Sequence, residues 1–84
     1  MSSEDMVVPA QLIAWLNEEG IVELASGFPT DGDLFAAGLD SMAVMQLVVA
    51  AEEKFGVVLG PADITRVNLS TAEAMAELFS SKRP

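Results

Sequence analysis

Cysteine and histidine are both missing from this 84-residue chain. Without cysteine there is no disulfide and no thiolate metal site. Without histidine, the commonest general base, the Ser–His pairing that activates a serine, and the commonest zinc ligand are all gone. That inventory disfavours a self-contained hydrolase or a zinc domain. A catalyst built on Asp or Glu would need paired carboxylates in a cleft, and a domain this short has little room for one.

Basic residues are also scarce: four face thirteen acids, for a formal net charge of −9. Lys82 and Arg83 fall in the terminal tail, which leaves Lys54 and Arg66 as the cations of the folded body. Such a surface repels phosphate backbones and anionic lipid, so neither nucleic acid nor a membrane surface is an expected partner. Basic patches on other proteins would be attracted, although acidity also serves plain solubility. Long apolar runs are missing as well. The most apolar stretch, Met42 to Ala51, is interrupted by Gln46 and is too short to span a bilayer. The first residues, Met1 to Asp5, are acidic and carry no apolar leader, so a cytoplasmic protein is expected. Half the residues are nonetheless hydrophobic (51%), which argues against disorder. The length suits one domain over residues 1–84, with an ordered core near residues 8–80, expected to be a monomer of marginal stability.

No repeat or low-complexity segment interrupts the chain. Residues 2–8 read as a loose lead-in. Pro9 suits a first helical position, where its missing N–H costs nothing. Leu12, Trp15, Leu16 and Glu19 follow at helical spacing, and Gly20 is a stop, so a first helix is expected over residues 9–19. Gly20, Gly27, Pro29, Gly32 and Gly38 then punctuate a long loop over residues 20–40. Ile21, Val22, Leu24, Phe28, Leu34, Phe35 and Leu39 are its apolar anchors, with Leu34, Phe35 and Leu39 expected to be buried. Connections of this length are uncommon and usually functional. A second helix is expected from Ser41 to Phe55, capped by Asp40 and ended by Gly56. Gly60-Pro61 should open a short third helix over residues 61–66. Ser70-Thr71-Ala72-Glu73 reads as a capping box, with Ser70 as N-cap and Glu73 returning the bond. The last helix behind it has Ala74, Met75, Leu78 and Phe79 as its inner stripe. Sustained alternation is absent, and Val57-Val58-Leu59 is too short and isolated to build a sheet. The expected fold is all-α: a four-helix bundle with a long loop between helices 1 and 2 and a short third helix.

Stepping about 100° per residue along the second helix separates two apolar faces. Val44, Leu47, Val48, Ala51 and Phe55 share one side, and Met42, Met45 and Val49 share the other. Gln46 and Glu53 flank the second stripe, and Lys54 lies between the faces. Four short helices bury one such face easily and two only if the helix runs through the middle. The Met stripe is therefore expected to be partly exposed, the alternative being that both are core. Exposed Met suits a surface that adapts to several partners, because its thioether chain is flexible and polarizable.

The run Asp33-Leu34-Phe35-Ala36-Ala37-Gly38-Leu39-Asp40-Ser41-Met42 resembles the signature of the acyl and peptidyl carrier protein family. In that family a loop of the form Leu-Phe-x-x-Gly-x-Asp-Ser-[Leu/Met], with an acid just before it, opens the second helix of a four-helix bundle. The resemblance continues through Leu47, Glu52, Glu53, Phe55 and Gly56 and covers nearly the whole chain. It implies that Ser41 is the attachment site of a 4′-phosphopantetheine arm, taken from coenzyme A, with Gly38, Asp40 and Met42 around it. It implies a phosphoprotein that holds acyl or aminoacyl groups as thioesters, not an enzyme. The implied partners are a phosphopantetheinyl transferase, an acyl- or aminoacyl-loading enzyme, and downstream synthase or transferase enzymes. Taken alone, Ser41 is a helix-start serine. Its position nevertheless suits a phosphodiester, which would meet free backbone N–H groups and the positive end of a helix dipole. Asp40 can spend its carboxylate on capping, and no base in the chain activates Ser41, so a separate transferase must.

Asp31-Gly32-Asp33 also resembles the start of an EF-hand calcium loop. The places that should hold its glycine and its bidentate glutamate are Ala36 and Met42, so calcium is not expected. As to subtype, Ala43, Gln46 and Lys54 stand where fatty-acid carriers of the family keep acids, and Glu52 and Glu53 alone keep the pattern. A freestanding carrier of a specialised pathway, of the polyketide or nonribosomal-peptide type found in antibiotic biosynthesis, is therefore expected. A fatty-acid or a D-alanyl carrier is the alternative. The expected partner face is Met42, Met45, Gln46, Val49, Glu52 and Glu53. The competing class is an unmodified helical interaction module using the same face.

Overall fold

Pro9 takes the first position of α1 (Pro9–Glu18), behind an extended Val8. The helix stops where Gly20 turns left-handed (φ +71). Gly20 N–H then donates to the Asn17 carbonyl (3.1 Å) and Ile21 N–H to the Leu16 carbonyl (3.0 Å), a Schellman closure with Leu16 and Ile21 both buried. These features belong to a computed structural model, which describes residues 7–82. The lead-in over residues 2–6 and Arg83 lie outside the described residues.

Three further helices follow: α2 (Ser41–Phe55), α3 (Arg66–Leu69) and α4 (Ala72–Lys82). The protein is all-α, and the described residues contain no strand. Asp40 caps α2, its carboxylate accepting the Ala43 N–H at 2.9 Å, and left-handed Gly56 (φ +69) ends it. The core joins Leu12, Trp15 and Leu16 of α1, Leu47, Ala51 and Phe55 of α2, and Met75, Ala76 and Phe79 of α4. Its centre is aromatic. Trp15 meets Phe55 and Phe79 edge-on, with centroids 5.1 and 6.0 Å apart. Val7 is stitched to α4 through Ser80, whose hydroxyl accepts the Val7 N–H at 2.9 Å.

The long loop, residues 19–40, is pinned at both ends. Asn17 Oδ1 accepts the Leu24 N–H at 2.7 Å. Leu34 N–H donates to the Ser70 carbonyl at 2.7 Å, and Glu73 N–H to the Thr30 carbonyl at 3.1 Å. Ile21, Val22, Leu34 and Leu39 are buried beneath it. Phe35, expected to be buried with them, is only half-buried, because its outer face is roofed by Arg66 rather than by core.

Two element boundaries differ from expectation. Residues 61–63 form a turn, and the third helix begins at Arg66. The reason is local chemistry. Asp63 accepts the Gly60 N–H (2.9 Å) and closes the turn on itself, while Thr65 accepts the Asn68 N–H (3.1 Å) and starts a helix there. The capping box is also displaced. Ser70 has helical dihedrals as the last cap of α3, and its hydroxyl donates back to the Val67 carbonyl. Thr71 therefore takes the capping role, accepting the Ala74 N–H at 3.0 Å, and Glu73 turns to Thr30. The buried face of α4 is Ala72, Met75, Ala76 and Phe79, with Ala74 and Leu78 half-buried. Lys82 is no tail residue: it ends α4 and pairs with Asp63 at 2.8 Å.

Candidate functional site

Asp33 begins the site. Its carboxylate accepts the N–H groups of Phe35 (3.0 Å) and Ala36 (3.2 Å), which winds residues 34–38 into a turn. Gly38 leaves that turn at φ +123, a conformation that excludes side chains even though a Cβ would meet only ordinary contact there. Leu39 plugs into the core, and Asp40 swings to an extended conformation that starts α2.

Ser41 thus becomes the first residue of a 15-residue helix, and it is solvent-exposed. Of the N–H groups in the first turn, Ala43 donates to the Asp40 carboxylate and Val44 to the Asp40 carbonyl. Those of Ser41 and Met42 meet no acceptor among the described residues. The hydroxyl therefore stands where two free amides and the positive end of the helix favour a negative group. Asp40 carries the same sign as such a group, but one of its oxygens is committed to capping.

Beside Ser41 runs a groove of about 480 Å³ between the end of the long loop and the segment leading into α3. Phe35, Leu39 and Val44 line one wall, and Ile64, Arg66 and Leu69 line the other. The Arg66 guanidinium lies 4.7 Å from the centroid of the Phe35 ring. Periodicity along α2 could not have found this wall, because its residues belong to another element. The one sequence signal was the scarcity of cations, which made Arg66 conspicuous without placing it.

The opposite face of α2 carries the Met stripe. Met42 and Met45 are each 71% exposed and Val49 is 60% exposed, so the two-faced reading holds and the stripe is not core. Gln46 and Glu53 flank it, together with Glu19 from the end of α1, a rim residue that the sequence did not indicate. Glu52 is exposed but stands outside that surface.

Ser41 is thus an exposed serine at the start of the longest helix of a small helical domain. Residues 14–79, most of the chain, match the family model for the phosphopantetheine attachment site, and the chain belongs to that family. No curated protein matches the chain. The protein is thus a carrier with a 4′-phosphopantetheine group, not a catalyst, and a phosphopantetheinyl transferase and acyl-handling enzymes act on it. The exposed hydroxyl, the two free amides and the adjoining guanidinium fit such a group. Among the described residues, no helix is long and apolar enough to cross a membrane.

Proposed function

We propose that Ser41 is the residue that carries the arm. The observation that supports this is the exposure of its hydroxyl at the first position of α2, beside two unpaired amides and a carboxylate already engaged in capping. In the modification, the Ser41 Oγ forms a new bond to phosphorus while the pyrophosphate bond of coenzyme A breaks and the nucleotide half leaves. The hydroxyl proton goes to a base of the transferase, since no histidine exists here to take it. Once attached, the arm supplies a thiol that holds acyl or aminoacyl groups as thioesters.

The Met42-Met45-Val49 stripe is the surface that partner enzymes grip, with Gln46, Glu53 and Glu19 as its polar rim and Glu52 adding charge nearby. A carrier must be released as readily as it is bound, and exposed apolar contact with a thin acidic rim suits that exchange. The weak acidity of this face favours a freestanding carrier in a specialised pathway of the polyketide or nonribosomal-peptide type over a fatty-acid carrier, with a D-alanyl carrier as the subtype alternative. Intact mass after incubation with coenzyme A and a broad-specificity transferase tests the assignment. Wild type gains one phosphopantetheinyl group, and Ser41→Ala gains none while melting as wild type does. Modification of Ser41→Ala would place the arm elsewhere, and an unchanged wild-type mass would reduce the protein to an interaction module using the Met face. The mass of protein from its native host identifies the cargo and so decides the pathway.

A further inference from the structure

We propose that Arg66 binds the phosphodiester that joins the arm to the protein and holds the base of the arm against the groove wall. The inference rests on the assignment of the arm to Ser41. It begins with where the cations are. Lys82 is occupied by Asp63 at 2.8 Å. Lys54 sits in the last turn of α2, at the far end of the helix that Ser41 opens, about 20 Å away at 1.5 Å per residue. Arg66 is the cation that lines the same groove as Ser41.

The second observation is what Arg66 does not do. In a chain with thirteen acids it pairs with no carboxylate among the described residues. Its guanidinium lies instead over the Phe35 ring, 4.7 Å from the centroid. A cation–π contact consumes no hydrogen-bond acceptor, and the Arg66 side chain forms no ion pair among the described residues, so its N–H donors remain available to an anion. Asp33 accepts the Phe35 backbone N–H, and the Phe35 ring beneath the cation packs against the core. A forked donor presented this way matches two oxygens of a phosphodiester. It would also offset the like charge of Asp40, which lines the same groove and stays put because it caps α2.

Two anions could meet this guanidinium: the phosphodiester of the arm, or a carboxylate at the end of an acyl cargo. Both offer paired oxygens. The phosphodiester is favoured because its place is set by Ser41 at the groove edge, whereas a cargo carboxylate sits beyond the full length of the arm.

Nitrogen-15-labelled protein, converted by a transferase with coenzyme A and checked by intact mass, provides the test. On conversion the Arg66 Nε–H resonance should move, and the geminal methyl protons of the arm should show contacts with the Phe35 ring. In Arg66→Gln the phosphorus-31 resonance of the arm should shift and those contacts should be lost. Arg66→Lys, which keeps the charge but not the fork, should restore them only in part. Arg66 is exposed, so both variants should fold and accept the arm at the wild-type mass gain. A normal mass gain with an unmoved Nε–H and identical phosphorus resonances in wild type and Arg66→Gln overturns the inference and leaves Ser41 standing. Movement of Nε–H only after loading with a malonyl group also overturns it, and assigns Arg66 to the cargo. Failure of wild type to gain mass overturns the Ser41 assignment, and this inference with it.

Discussion

Thr30 and Glu73 hold each other twice: the Thr30 hydroxyl donates to Glu73 Oε2 at 2.7 Å, and the Glu73 N–H donates to the Thr30 carbonyl at 3.1 Å. This pair clamps the middle of the long loop to the first turn of α4 and so supports the turn that delivers Ser41. Glu73→Ala should cost about 0.5–1.5 kcal/mol, the usual net worth of a hydrogen bond. Glu73→Gln, which keeps the accepting oxygen, should cost less. Urea unfolding of the three proteins checks the order, and equal losses in both variants would show that the side-chain bond contributes nothing.

Phe35→Ala should lower stability by about 1–3 kcal/mol. A fully buried aromatic would cost about 3–5 kcal/mol, but Phe35 keeps one face toward Arg66 and the groove. Denaturant unfolding at two wavelengths gives the value. A loss above that range would mean that the ring supports the whole loop rather than its end alone.

Met45→Glu should leave the melting temperature nearly unchanged, since exposed substitutions stay within about 0.5 kcal/mol. The same sample should accept the arm, or its later cargo, more slowly. Glu53→Lys should slow association with basic partner surfaces, and that defect should shrink as salt shortens the Debye length from about 10 Å at 0.1 M to about 3 Å at 1 M. A sharp drop in melting temperature for Met45→Glu would contradict its 71% exposure.

Asp63 is held below the ordinary carboxylate range, first by the hydrogen bond from Lys82 and then by the Gly60 N–H. A carboxyl whose folded pKa lies below its unfolded one stabilises the protein above the unfolded value, about 3.9 for aspartate. That stability is lost as pH falls through the folded value. Lys82→Met should therefore melt below wild type at neutral pH, and the gap should close in acid. A gap that stayed constant across that window would mean that Lys82 acts through packing rather than charge.

Much of the site was legible because its signals lie within a few residues of one another. Asp40 and Gly56 bound α2 at the expected positions, since a cap and a left-handed stop act on their own helix turn. The Met stripe followed from a repeat of about 100° and from the small number of helices available to bury a second face. The turn over residues 34–38 and the placing of Ser41 rest on Asp33 and Gly38, both inside the recognised run.

By itself the sequence determined the class, the helix that opens at Ser41 and the face that helix leaves to solvent, because capping and periodicity act within one element. Only the tertiary structure decided where α3 starts, which residue caps α4, and that Arg66 shares a groove with Ser41. At those points several polar side chains could satisfy the same backbone group locally. Ser70 is taken up as the end of α3, so Thr71 caps α4, and Glu73 meets Thr30, 43 positions away. Leu34, Leu39 and Leu69 join one core from the loop and the segment before α4, a gain in burial that no local window contains.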